Sequence, residues 1–461
     1  MLELTIICLY FLAMLAIGLA SKRKAKEADD FFVAGRKGSA LFITGSLLAT
    51  IIGGSATVGM AGLGFTRGLT GIWWLLVGSI GLIFLGLFLA KRVRRLALYT
   101  LPELVARQYD RRMALASSVL IVIAWIGVIA AQIIAAGRIL SVLEIGNATL
   151  WMVIFTIIFI AYTILGGQHA IIRTDAVQAA IIFGGLFAGV ALLMSQLGGW
   201  PGLLSALPTE HFAFPTSPQF GGAELASLLL VVGLTYVVGP DMFSRLFCAR
   251  DDTTARTATL WTAVLLIPIA LAITLMGMGA AALFPQIAPE QALPTVISEV
   301  FPPLLGGVVL AALLCAVMSS ADTTLLSAGT ILTVDILARG QPVPPAGKIL
   351  PRSRWVIALL GICSLTVALV LKGVITALLF AYTVYTCGIT LPVIAGFFKE
   401  RLGVTNTGAL AALAGGGITG LISKLLAIKY LDLGALVLSI LLLFIVSRLD
   451  KRLTDSNCTV I

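Results

Sequence analysis

The sequence predicts an all-α polytopic membrane protein with about 13 transmembrane helices. Composition is the first reason: 59% of the 461 residues are hydrophobic and only 11% charged, far below the ~25% charge of soluble domains. Pattern is the second. Apolar runs of membrane-spanning length recur along the chain at a mean hydropathy of +1.07, without the ~10-residue alternating segments of a β-barrel. The third is the placement of charge, since Lys and Arg gather in alternate connecting segments, as the positive-inside rule requires. The net charge of +10 is therefore a topology signal and needs no nucleic-acid partner.

In order, the first span covers about 2–20 and is followed by the basic segment SKRKAKEADD, residues 21–30. A signal peptide carries its basic residues before the apolar run, so this segment reads as a membrane helix. Spans 2 to 6 lie near 40–66, 70–90, 114–142, 148–165 and 171–195. A loop bearing Pro and Gly, 198–222, leads to span 7 at 223–247 and span 8 at 257–284. A second polar loop, 285–303, precedes span 9, and spans 10 to 13 fall near 353–371, 373–398, 406–426 and 430–448. With the N-terminus outside, each of the 31 Lys and Arg is cytoplasmic except Arg67, Arg138, Lys372, Lys424 and Lys429. The loops 198–222 and 285–303 hold no basic residue, so the expected orientation is N-terminus outside and C-terminus cytoplasmic. From Asp450 a short tail is expected, without a signalling module.

Span 9 carries the most unusual stretch, AALLCAVMSSADTTLLSAGTILTVDI, Ala311–Ile336. Ala316, Ser319, Ser320 and Thr323 share one helical stripe, with Asp322 beside it. Hydroxyls and a carboxylate in lipid require a partner, a cavity or an ion. Neutral oxygen donors of this kind suit a weakly held monovalent cation, while a lone Ser would only bond back to its own helix. Span 2 is the second: Gly53 and Gly54 lie near the middle of SLLATIIGGSATVGMAGLGF, Ser46–Phe65. Glycines there serve either close helix packing or a break that offers carbonyls to an ion, and the carbonyls of Ala49 and Ile52 stand just before them. Asp175 opens span 6 and is an intramembrane carboxylate near Arg173. In span 7, Gly239–Pro240 bends or ends the helix, Thr235 and Tyr236 lie deeper, and Asp241 with Arg245 at i, i+4 reads as a helix-surface ion pair. The six cysteines are scattered and read as packing residues. The two histidines, His169 and His211, have no companions for zinc or a triad. No nucleophile–base set exists, so an enzyme and a cofactor are not expected.

Four segments resemble the sodium/solute symporter family: ATIIGGSATVGMAGLGF, YTILGGQHAIIRTDAVQ, GPDMFSRLFCARD and AVMSSADTTLLSAGTILTVDI. The resemblance covers nearly the whole chain. It implies a leucine-transporter-type core of two inverted five-helix repeats, 39–196 and 197–402, preceded by an extra helix and basic loop in 1–38 and followed by two helices and a tail in 403–461. It also implies a sodium site at the carbonyls of Ala49, Ile52 and Ala316 and the hydroxyls of Ser319 and Ser320. A second site, found in some members, would use Asp175, Ser319 and Thr323, and those members usually carry hydroxyls where Asp322 stands. A solute would bind around Gly53, Gly54, Ser55, Thr235 and Tyr236.

The positions that sugar-transporting members make polar are Ile51, Ser55 and Ala56 here, which argues against a sugar. AVMSSADTTLLSAG and TNTGALAALAGG look like the choline-transporter branch. A quaternary ammonium ligand wants an aromatic cage, and none of the seven Trp lies in spans 2 or 7. A small organic solute, a carboxylate or an amino acid, is what remains. The expected function is sodium-coupled import by alternating access in a prokaryotic plasma membrane, for which a monomer suffices. Proton coupling through Asp175 or Asp322, or a sensor that does not transport, are the alternatives.

Overall fold

The computed structural model describes residues 5–13, 16, 28–143, 146–338, 346–371 and 373–458, apart from the side chains at 28–30, 166–174, 176, 177, 346–348 and 454–458. About half of span 1, all of the basic segment 21–30, the neighbours Gln168, His169 and Arg173, and Lys372 thus fall outside the described side chains. Eleven helical segments there are long and apolar enough to cross a membrane, with Ala40–Ile51 a shorter apolar helix.

We label the helices that build the bundle α1 (5–13), α2 (Ala40–Ile51), α3 (Met60–Arg67), α4 (Trp73–Phe84, continued to Arg95), α5 (Arg111–Ser141) and α6 (Ala148–Leu197). They continue as α7 (Gly222–Leu228, continued to Val237), α8 (Pro240–Cys248), α9 (Asp252–Leu283), α10 (Pro303–Ile331) and α11 (Ala346–Val370). The last are α12 (Val374–Tyr385, continued to Gly396), α13 (Asn406–Leu425) and α14 (Leu431–Cys458).

Their ends follow from the polar residues at the borders of the apolar runs. Asp110, Asn147 and Asp251 accept the amides of Met113, Leu150 and Thr254 at 2.8, 2.8 and 2.7 Å, satisfying donors that have no partner inside the helix. That backbone bond also holds the exposed Asp251 carboxyl below its ordinary range. Gly198 closes α6 at φ 75°, in the left-handed region where a Cβ would strain the chain. Spans 5 and 6 are joined by helix where a loop was expected. The 50 helical residues of α6 would run ~75 Å, and its two apolar stretches, Ala148–Leu165 and Gln178–Leu197, each cross by themselves. The joining sequence has no Pro to stop a helix, and Gly166 and Gly167 are tolerated in membrane helices. The loop before span 9 holds its own helix, Ala292–Val300.

Two helices of the core are interrupted, and they occupy corresponding places in the chain. Span 2 is α2 and α3 joined through the non-helical residues 52–54 and a π turn, Ser55–Gly59, and span 7 is α7 and α8 separated at Val238–Gly239. α10 is buried along almost its whole length and packs against α2, α5, α6, α8 and α11. Long apolar side chains such as Phe88 and Trp355 stand outside the bundle at 60% and 80% exposure, a surface suited to lipid. Three of the basic residues that break the charge asymmetry are held by partners: Arg67 over the Phe220 ring at 4.2 Å, Arg138 on Glu290 at 3.2 Å and Lys424 on Asp432 at 3.3 Å.

Candidate functional site

The break in span 2 begins where α2 ends. Ile52 leaves the helical region with φ −80° and ψ 56°, so the last carbonyls of α2 lose their intrahelical partners. The glycines sit both at a break and at a close helix contact. A Cβ on Gly53 would lie 2.4 Å from the Ser320 hydroxyl, and one on Gly54 would lie 2.2 Å from the Ala135 Cβ. Only glycine lets α5 and α10 come this close to the break. The amide of Gly54 donates to Gln132 Oε1 at 2.7 Å, and the Thr57 hydroxyl donates to the Gly53 carbonyl at 2.8 Å. Gln132 was not singled out from the sequence, though a lone amide in the run AAQIIAAG was the available signal. Replacing Gln132 with Leu should leave the Gly54 amide unpaired, cost about 1–3 kcal/mol and weaken solute binding, read as a thermal shift and as a raised half-saturating solute concentration.

In span 7 the helix stops at Val238, φ −135° and ψ 45°, and restarts with Pro240 at its first position. Proline there needs no amide partner. The freed Val238 carbonyl accepts the Tyr385 hydroxyl.

α10 supplies the hydroxyls that face these breaks. Ser320 donates to the Thr50 carbonyl at 2.6 Å and lies 3.3 Å from the Ala49 carbonyl. Ile52 and Ala316 are fully buried. Two oxygens at right angles on a cation with bonds of ~2.4 Å lie about 3.4 Å apart, so Ser320 and Ala49 are spaced as neighbouring ligands of a small hard cation. Ser319 turns elsewhere and donates to Asp175 Oδ1 at 2.5 Å, while Ser46 donates to Asp175 Oδ2 at 2.5 Å. Asp322 is apart from that pair and accepts from the Thr163 hydroxyl at 2.8 Å.

Arg245 is a correction to the sequence reading. It lies on no helix surface and pairs with no Asp241; its side chain is fully buried and its guanidinium faces Asp175 at 3.5 Å. The same Nη2 donates to the hydroxyls of Thr323 and, at 3.2 Å, of Thr50. The break at Gly239 is the physical cause, because it lets α8 approach α10 and α2 with Arg245 inward. Asp175, Thr323 and Ser319 thus lie together, with a tethered cation among them.

Beside the cluster is a cavity of about 20 Å³, room for about one or two waters. Thr50, Ile51 and Ser55 wall one side, Thr235, Tyr236 and Asp241 the other. Ser320 and Gln132 also reach it, as do Thr324 and Tyr382, which the sequence reading missed. Gly53 and Gly54 do not line it. Thr235 has its hydroxyl on Thr386 at 2.7 Å and on the Val231 carbonyl at 2.8 Å. The Tyr236 ring packs on Gly78, where a Cβ would approach its Cζ to 2.9 Å.

Comparison with known proteins adds the family. The model of the sodium:solute symporter family matches residues 31–416. Among curated proteins, the chain is 25% identical over 480 residues to human sodium/glucose cotransporter 4, covering 93% of this chain and 70% of that one. It is 27% identical over 349 residues to the osmoregulated proline transporter OpuE of Bacillus subtilis, covering 71% and 69%. Among solved structures, the fold is similar to a Na+-coupled sialic acid symporter in a substrate-bound outward-open state. The TM-score is 0.82, at 18% identity and 97% and 98% coverage. It is also similar to MhsT in complex with L-phenylalanine, with TM-score 0.55, 15% identity and 89% and 99% coverage.

Proposed function

Because the chain belongs to the sodium:solute symporter family and is a sodium-coupled solute symporter, we propose that its sodium sits where Ser320 meets the end of α2. The observation that carries this is the Ser320 hydroxyl 3.3 Å from the Ala49 carbonyl, beside the break at Gly53. The carbonyls of Ile52 and Ala316 and the hydroxyl of Ser319 complete the donor set, the last by turning from Asp175. All are uncharged oxygens, which release a monovalent ion easily.

The residues that hold the ion are chained to those that hold the solute. Thr50, Ile51 and Ser55 are one wall of the cavity and flank the same break. Sodium that ties α2 to α10 fixes that wall, so ion and solute each raise the other's affinity. The two interrupted helices begin the two inverted repeats, 39–196 and 197–402, whose rocking opens the site to either side. The expected setting is a plasma membrane with the N-terminus outside, where one charge crossing 100 mV gains ~2.3 kcal/mol.

Arg245 supports a reading of one sodium per cycle. Its guanidinium already lies among Asp175, Thr323 and Thr50, and like charges repel a second cation there. Reconstituted protein should show a saturable stabilisation by sodium over potassium with a Hill coefficient of about one, and sodium, not pH, gradients should drive uptake. Uptake driven by pH alone would replace sodium with a proton.

A further inference from the structure

We propose that the transported solute carries a positively charged nitrogen, bound at the Asp241 carboxylate between Tyr236 and Tyr382. This rests on the cavity being the solute site of the symporter. Asp241 is the only acidic residue among the cavity's described lining, and it retains partial exposure there although α8 is otherwise deeply buried. Its sequence neighbour of opposite charge, Arg245, one turn along α8, gives its guanidinium to Asp175, Thr323 and Thr50. Asp241 forms no ion pair among the described residues. Ile51, Val128 and Met242 make much of the remaining wall apolar. A carboxylate left in such a place is unfavourable until a cation arrives, so a solute that brings one is bound selectively.

The aromatic groups point to the same class. Tyr236 and Tyr382 line the cavity with Asp241, and their rings can receive a desolvated ammonium. The Trp125 and Tyr385 rings meet edge-to-face at 4.9 Å. Tyr385 is held by the Val238 carbonyl of the same break that places Asp241. An anion would meet Asp241 as a like charge, and a neutral solute would leave it unpaired.

The test is a thermal-shift series on the purified full-length chain, in sodium and in potassium, with choline, glycine betaine and L-proline against galactose and pyruvate. The expected result is sodium-enhanced stabilisation by one or more of the three solutes with a positively charged nitrogen and by neither galactose nor pyruvate. Asp241→Asn should raise the half-saturating concentration of that solute about 30-fold or more while keeping the shift by sodium alone, which reports an intact fold. Tyr382→Phe should keep the affinity and Tyr382→Leu should lose it, separating a ring from a hydroxyl. No shift by any solute with a charged nitrogen, a shift by galactose or pyruvate, or unchanged affinity for that solute in Asp241→Asn overturns the proposal. A wild type indifferent to sodium rejects the sodium site instead, and the solute arm is still read in potassium.

Discussion

Arg245→Met should unfold more readily by about 3–5 kcal/mol and lose transport. The side chain is fully buried, so the substitution keeps the volume and removes only the charge and its bonds. Asp175 would remain under two serine hydroxyls at 2.5 Å each with no cation beside it. A buried carboxylate in that state is more costly than the intact pair. Asp175→Asn should likewise destabilise, because it leaves the guanidinium alone. The double variant should be more stable than the sum of the two single losses. Equilibrium unfolding of the four proteins reads this coupling directly. Strict additivity would mean that Asp175 and Arg245 do not compensate each other. If Arg245→Met, which keeps Asp175, binds two sodium ions where the wild type binds one, the arginine stands in for the second ion.

Ser320→Ala should raise the sodium concentration for half-maximal activation by about 10-fold or more. Losing one good oxygen ligand of a weakly held ion is a change on the order of 1.4 kcal/mol or above, a factor of ten. The Ser320 hydroxyl also bonds the Thr50 carbonyl at 2.6 Å, so a smaller loss of stability accompanies it, about 1 kcal/mol. Ser319→Ala should act on sodium too, and in addition release Asp175 from one of its two serines. The two variants therefore differ in a second readout: only Ser319→Ala should move the stability coupling between Asp175 and Arg245. Wild-type sodium activation in both variants would place the ion elsewhere.

Much of this was legible in the sequence. The apolar runs located the spans because lipid demands that every backbone group bond within its own helix. Gly53–Gly54 and Gly239–Pro240 marked the two interruptions, since their effect on a helix is local. The polar stripe of α10 gave Ser319, Ser320 and Thr323 as a shared face by periodicity alone. What stayed hidden was which group each side chain meets. Arg245 and Asp241 sit one turn apart, and sequence distance made a pair of them. In the fold they take different partners, Arg245 the Asp175 carboxylate and Asp241 the cavity. Searching for tryptophans alone likewise missed Tyr382, which comes from span 11 and meets span 7 only in space.

The sequence by itself determined an all-helical membrane bundle, its two broken helices and the oxygen-rich face of α10. These depend on properties of single residues and on helical repeat, and both are written along the chain. The tertiary structure alone decided that Arg245 lies among Asp175, Thr323 and Thr50, that Gln132 holds the break, and that Asp241 faces the cavity. The contacts that place Arg245 and Gln132 join residues 70 to 195 positions apart in the sequence. Burial makes each of them strong, and burial is a property of the packed bundle that no local pattern carries.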